Sequence, residues 1–121
     1  MKQKVHSVSY LTRAEFEFKN GVYDLVALPS GAEVIKVSLE VVGDPTAGNV
    51  NVGFKDETTK NYFFSHLNLT TANSKNTTSA KDYTATDNKV IVAEVKNASG
   101  ADVKGVLRVL YFLPSLIEVE Y

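Results

Sequence analysis

The sequence predicts an all-β fold, a single antiparallel β-sandwich or jelly-roll-like domain spanning residues 1–121, with a long polar loop and strand-like arms. Three observations predict it. Apolar residues recur at every second position through most of the chain, the period of a strand with one buried face. Clusters of Gly, Pro, Asn, Asp and Ser separate these runs at short intervals, as in sandwiches and barrels. Helical spacing is scarce. A chain of 121 residues suits one core, which buries roughly two-thirds of the unfolded surface.

In Ala14-Glu15-Phe16-Glu17-Phe18 apolar residues alternate with acids, so Ala14, Phe16 and Phe18 share a face. Asn20-Gly21, a strong hairpin signal, leads into Val22-Tyr23-Asp24-Leu25-Val26-Ala27-Leu28, and the two stretches read as adjacent antiparallel strands. Pro29-Ser30-Gly31 then breaks the chain, because proline fixes φ and glycine tolerates positive φ. Ile35, Val37, Leu39 and Val41 follow on one face, with Lys36, Ser38 and Glu40 opposite. Turn chemistry over residues 43–48 ends that strand, and Val50, Val52 and Phe54 resume the alternation, which predicts a second hairpin. Gly53 and Gly105 fall inside strands, where a glycine marks a bulge, a bend or the close approach of another backbone.

Tyr62-Phe63-Phe64, with Leu67 and Leu69 beyond, reads as a strand or a plug under the sandwich, with a helix over residues 58–67 as the alternative. Residues 70–87 are rich in Thr, Asn, Ser and Lys, and such a stretch buries too little apolar surface to offset the entropy of ordering it. They are expected to form a long polar loop. Residues 90–96 read as a strand, residues 97–102 as a turn, and residues 103–113 as the longest strand. After Pro114-Ser115, Ile117, Val119 and Tyr121 share a face opposite Glu118 and Glu120. Residues 1–12 and 114–121 are read as terminal arms.

Composition narrows the function. The formal net charge is -1 and the pI about 6.1, with no basic stripe, so no nucleic-acid partner is expected. Charges alternate in sign along strands, as in Arg13-Ala14-Glu15-Phe16-Glu17-Phe18-Lys19, which is the pattern of a solvated sheet face. Cysteine is absent, which excludes disulfides, thiolate metal sites and cysteine nucleophiles. The first residues lack the apolar core of a secretory signal. The longest apolar run, residues 106–113, is interrupted by Arg108 and falls short of the ~18–20 residues that cross a bilayer. The expectation is a soluble protein made in the host cytoplasm, with no membrane partner.

Catalytic arrangements are sparse. His6 and His66 are far apart and match no metal-ligand spacing. Ser65 and His66 are strand neighbours and face opposite ways. Asp56, Glu57 and Asp82 are loop carboxylates with nothing beyond their presence to suggest a glycosidase pair. Loop aspartates show no EF-hand spacing, and no cofactor or metal is expected. The aromatic residues Tyr10, Tyr23, Tyr62, Phe63, Phe64, Tyr83, Tyr111, Phe112 and Tyr121 offer either a stacking platform for bases or sugars or core and inter-strand packing, and packing is favoured because most fall within the apolar alternation. Tyr83 lies in the polar loop and is the aromatic expected to meet a partner.

The run Leu25-Val26-Ala27-Leu28-Pro29-Ser30-Gly31-Ala32-Glu33-Val34-Ile35, leading into Val37-Ser38-Leu39-Glu40-Val41-Val42, carries a resemblance. Val50-Asn51-Val52-Gly53-Phe54 and Lys104-Gly105-Val106-Leu107-Arg108-Val109-Leu110-Tyr111 continue it. On these segments, about four-fifths of the chain by strand pattern, it resembles the small β-sandwich virion proteins of tailed phages and prophages, head decoration (cement) proteins among them. The extension over residues 114–121 departs from that pattern. The resemblance implies a non-enzymatic structural protein located in the virion. Its implied partners are the major capsid protein and copies of itself, a trimer being one form that suits a lattice.

Three functions follow as expectations. The leading one is capsid decoration through strand-like ends that complete a neighbour's sheet, with Val5, Val8, Tyr10, Leu116, Ile117, Val119 and Tyr121 as contacts. The second is a receptor- or carbohydrate-binding fibre or tail module that uses Tyr83 and its loop. The third is a small hydrolase using loop carboxylates.

Overall fold

Half-buried strands need a second apolar layer, and the computed structural model of the chain supplies it as two stacked antiparallel sheets. It describes residues 2–5, 8–68, 76–100, 102–113 and 117–120. These form β1 (Lys2–Val5), β2 (Ser9–Glu17), β3 (Gly21–Leu28), β4 (Glu33–Val42), β5 (Ala47–Phe54) and β6 (Phe64–Asn68). They continue with β7 (Asn76–Thr78), β8 (Tyr83–Thr84), β9 (Lys89–Ser99), β10 (Lys104–Phe112) and β11 (Ile117–Glu120). Among the described residues there is no helix, so the helical alternative over residues 58–67 is not formed. Phe63 and Phe64 are buried instead, and the Phe63 N–H donates to the Val52 carbonyl at 2.8 Å.

One sheet runs β2-β10-β4, with β7 and β8 as two short pieces along the far side of β4. The other runs β3-β9-β5-β6, and β1 pairs with β11 in a separate two-stranded ribbon. From β2 to β5, and again from β9 to β10, the chain therefore crosses between layers at each turn. The Asn20-Gly21 turn does not make the expected hairpin: β2 pairs with β10 and β3 with β9, in different sheets. The second expected hairpin fails in the same way, since β4 pairs with β10 and β5 with β9 and β6. A turn brings chain segments together, but the burial of apolar faces decides which strands become neighbours. Here each turn folds the chain over the core.

The core lies between the layers. Phe16, Val37, Leu39, Leu107 and Val109 meet Val26, Leu28, Val50, Val52, Phe54 and Ile91 across it, and all are buried. The expected alternation on β4 holds for Val37, Leu39 and Val41, which are buried. Ile35 does not join them. The β4–β10 register shifts between Leu110 and Tyr111, which pair with Lys36 and Val34. The extra residue of this bulge turns Ile35 outward, 47% exposed, and buries Val34 in its place.

Residues 70–87 were expected to be a loop, yet Asn76–Thr78 pairs with β4 at Ser38, Leu39 and Glu40. Tyr83–Thr84 pairs with Glu33 and Val34. The entropy argument missed them because edge pairing draws on backbone hydrogen bonds and asks for little apolar side chain. Ala85, buried and bonded through its backbone to Gly31 and Ala32, anchors the segment. The arm expected over residues 1–12 is shorter than that, because Ser9 to Thr12 belong to β2.

The two strand glycines mark close approaches. A Cβ on Gly53 would lie 2.6 Å from the Asn61 nitrogen and the Lys60 carbonyl carbon, so the chain of residues 60–62 packs directly on its backbone. A Cβ on Gly105 would lie 2.2 Å from the Phe16 ring, which occupies the space its cross-strand partner leaves open.

Candidate functional site

At one end of the first sheet, the beginnings of β2 and β4 meet the end of β10. Leu110 pairs with Leu11 on one side and Lys36 on the other; Tyr111 pairs with Tyr10 and Val34; Phe112 pairs with Ser9 and Glu33. Apolar residues stand next to each other in sequence here, as Tyr10-Leu11, Val34-Ile35 and Leu110-Tyr111. A strand sends successive side chains to opposite faces, so each adjacent pair must leave one member outside. Tyr10 remains 47% exposed while stacking on Tyr111, with ring centroids 5.9 Å apart. Val8, Leu11 and Ile35 are exposed beside them.

On the outer face of this sheet, Leu11, Lys36, Ser38, Arg108 and Leu110 line a shallow dimple of about 200 Å³. The charges around it are largely neutralised from within. Arg108 pairs with Glu40 at 2.9 Å and Arg13 with Glu15 at 2.8 Å. Such a face loses less on being covered than one of unpaired charges would.

The ladder does not stop at the end of the sheet. The Leu113 N–H donates to the Val8 carbonyl at 2.8 Å, one step beyond the Phe112–Ser9 pair. Past residues 6–7 and 114–116, the same two stretches of chain pair again as β1 and β11, displaced in register by one residue. Lys2 stands opposite Glu120, Gln3 opposite Val119, Lys4 opposite Glu118, and Val5 opposite Ile117. The two ends expected to reach for a neighbour are thus paired with each other.

Of the contact residues named from sequence, Val5, Ile117 and Val119 lie in this ribbon, and Val8 and Tyr10 at the exposed sheet end. Leu116 and Tyr121 lie outside the described residues. Tyr83 is not a free loop aromatic. It sits in β8, its ring 4.4 Å from Phe54 and 5.3 Å from Tyr62, in a cluster that also holds Phe63. The Tyr62 hydroxyl donates to the Asp82 carbonyl at 2.7 Å, and Lys81 lies 5.0 Å above the Tyr62 ring. Leu11 and Ile35 were missed as surface residues. The signal was in the sequence, since adjacent apolar pairs break a period of two.

The hydrolase candidates are not gathered into a cleft. Asp56 is tied to Lys89 at 2.6 Å, and that hydrogen bond holds its carboxyl below the usual 3.8 while raising the Lys89 ammonium above 10.5. Among the described residues, no three of His, Asp and Glu come close enough to hold a metal ion. Asn49 is 9% exposed, and its side-chain oxygen has no hydrogen-bond partner among the described residues.

Fold and surface together define a small β-sandwich that presents an apolar sheet end and a two-stranded ribbon. No family model and no curated protein matches the chain. Solved structures do. A chain in the acid-stable capsid structure of Helicobacter pylori bacteriophage KHP30 is 72% identical over 100% of both chains, with a TM-score of 0.92. A chain in the capsid asymmetric unit of cyanophage Pam1 is 26% identical over 88% of this chain and 85% of its own, with a TM-score of 0.70. A chain in the capsid of Ralstonia phage GP4, 15% identical with a TM-score of 0.63, shares the fold. At 72% identity over its full length, this chain belongs to the family of the KHP30 capsid chain and is a phage virion protein, structural and capsid-associated.

Proposed function

We propose that the protein is a capsid decoration, or cement, protein that binds the major capsid protein and further copies of itself through protein–protein contacts. The observation that carries the reading is the full-length match to a chain of a phage capsid. The strand order supports the jelly-roll form of the sandwich. Strands β2 to β5 alternate between sheets, as do β9 and β10, and β2 and β4 flank β10 as β3 and β5 flank β9. The apolar sheet end around Tyr10, Leu11 and Ile35 supports docking, because exposed apolar residues gathered in one place mark interaction surfaces.

The KHP30 capsid is described as acid-stable, and the same tolerance is proposed for this domain. Between residues 8 and 113 no carboxylate among the described residues is buried, so protonating them strands no charge in the core. Decoration is favoured over the carbohydrate-binding alternative because the ring of Tyr83 is engaged with Phe54 and Tyr62.

Mass spectrometry of purified particles tests the reading. A copy number comparable with that of the major capsid protein is expected. A handful of copies per particle would place the protein in the tail or a fibre and overturn decoration.

A further inference from the structure

We propose that the open edge of β2 is a two-fold contact, on which β2 of a second copy lies antiparallel with Ala14 facing Ala14 across the axis. This deepens the contact between copies in the proposed function and rests on it. The two flanks of the sandwich differ. On one, β7 and β8 line the far side of β4, and β6 lies beside β5. On the other, β2 and β3 each have a neighbour on one side only, among the described residues. The β3–β9 pairing is bulged between Asp24 and Val26, a device that spoils an edge for further pairing. The β2–β10 pairing runs from Ser9 to Glu17 without a shift, so β2 presents a long regular edge, the template another strand needs.

Hydrogen bonding decides which backbone groups that edge offers. Leu113 N–H donates to the Val8 carbonyl at one end of β2, and Phe18 N–H to the Val103 carbonyl at the other. Even-numbered residues of β2 therefore turn their backbone groups toward β10, and Ser9, Leu11, Arg13, Glu15 and Glu17 turn theirs outward. The side chains of the same five residues stand on the outer face and are exposed, with Arg13 paired to Glu15 at 2.8 Å. The occupant is a second copy because this charge order is self-complementary. With the axis at Ala14, Arg13 stands opposite the partner's Glu15, and Glu15 opposite the partner's Arg13. The two ion pairs merge into a cluster of alternating sign, and Ala14 puts a small side chain where the strands come closest. An axis at Arg13 or Glu15 sets each against itself, and one at Phe16 sets Glu15 against Glu17. Like charges directly opposite destabilise a strand pair. An axis at Thr12 sets Arg13 against Leu11 and leaves the charges unmatched.

Because the chain has no cysteine, Ala14→Cys supplies its only thiol. Facing residues of a pair that is not hydrogen-bonded have α-carbons about 4.5 Å apart, within disulfide reach. Mild oxidation of the full-length variant should give covalent pairs on a non-reducing gel. Thr12→Cys places the thiols roughly 14 Å apart along the strands and should stay unlinked. Absence of linkage at 14, or equal linkage at 12, would overturn the proposal. Arg13→Glu and Glu15→Arg, each added to the Ala14→Cys chain, test the register through exposed positions. Either alone sets like charges opposite and should lower the yield of linked pairs about tenfold. Mixed together, the two restore opposite charges at both contacts and should link to each other; equal yields alone and mixed would overturn the register. Failure to link while copy number on particles stays high leaves decoration standing. Linked pairs of a protein scarce in particles remove decoration alone.

Discussion

Gly53 and Gly105 show how single positions set the packing of this sandwich. At Gly53 the obstacle to a side chain is the backbone of residues 60–62, which cannot swing aside as a side chain can. Gly53→Ala should therefore lower the unfolding free energy by about 1–3 kcal/mol, the usual cost of overpacking, read from the denaturant midpoint. Gly105→Ala meets only the Phe16 ring, itself buried and stacked on Tyr23 at 5.6 Å, and should cost less than Gly53→Ala in the same titration. Leu107, fully buried between Leu39 and Ala14, is the opposite case, and Leu107→Ala should cost about 2–5 kcal/mol because its neighbours cannot close the cavity. The role of these glycines was half legible in sequence. A glycine in a strand announces a close approach, but Phe16 and residues 60–62 are brought to it by the tertiary fold.

At the scale of elements, the ribbon and the sandwich should separate experimentally. The β2–β10–β4 and β3–β9–β5 ladders hold the core without β1 and β11, which pair only with each other among the described residues. Deleting residues 114–121 should leave a folded sandwich with an unchanged far-ultraviolet β-spectrum. It should lose particle binding, as read by pull-down with capsids. Unchanged binding would rule the ribbon out as the capsid contact. The strand-like character of both ends was plain from Ile117, Val119 and the acids between them. Their mutual pairing was not, because more than a hundred residues separate partners such as Val5 and Ile117, and no local pattern links them. Residues 76–84 were missed for a related reason: an edge strand made of Thr and Asn draws on the backbone of β4 and leaves little trace in hydropathy.

For the whole molecule, the charge arrangement predicts a flat response to pH. Asp56 has its folded pKa lowered by Lys89, so its contribution is present above the ordinary value of 3.8 and lost as pH falls through the folded one. The Lys89 pKa is raised, so its contribution is complete below 10.5 and lost only as pH rises beyond it. Thermal midpoints should accordingly stay level from about pH 5 to about pH 9 and decline gently below pH 4. Asp56→Asn should reduce that acid-side decline. A steep collapse near pH 4 would point to a buried carboxylate and sink the account of acid tolerance.

The all-β class, most strand positions, most of the inward faces of β2 and β4 and the lack of a recognisable catalytic motif could be read from the chain alone. Side-chain alternation and turn chemistry act over a few residues, and a linear sequence records them directly. The exchange of partners between sheets, the bulge that turns Ile35 outward, the capture of Tyr83 by Phe54 and the union of the two ends were decided only in three dimensions. Alternation says which residues share a face and is silent on which strand lies alongside. That choice is made by burying every apolar face at once, a condition on the whole chain that no window of the sequence contains.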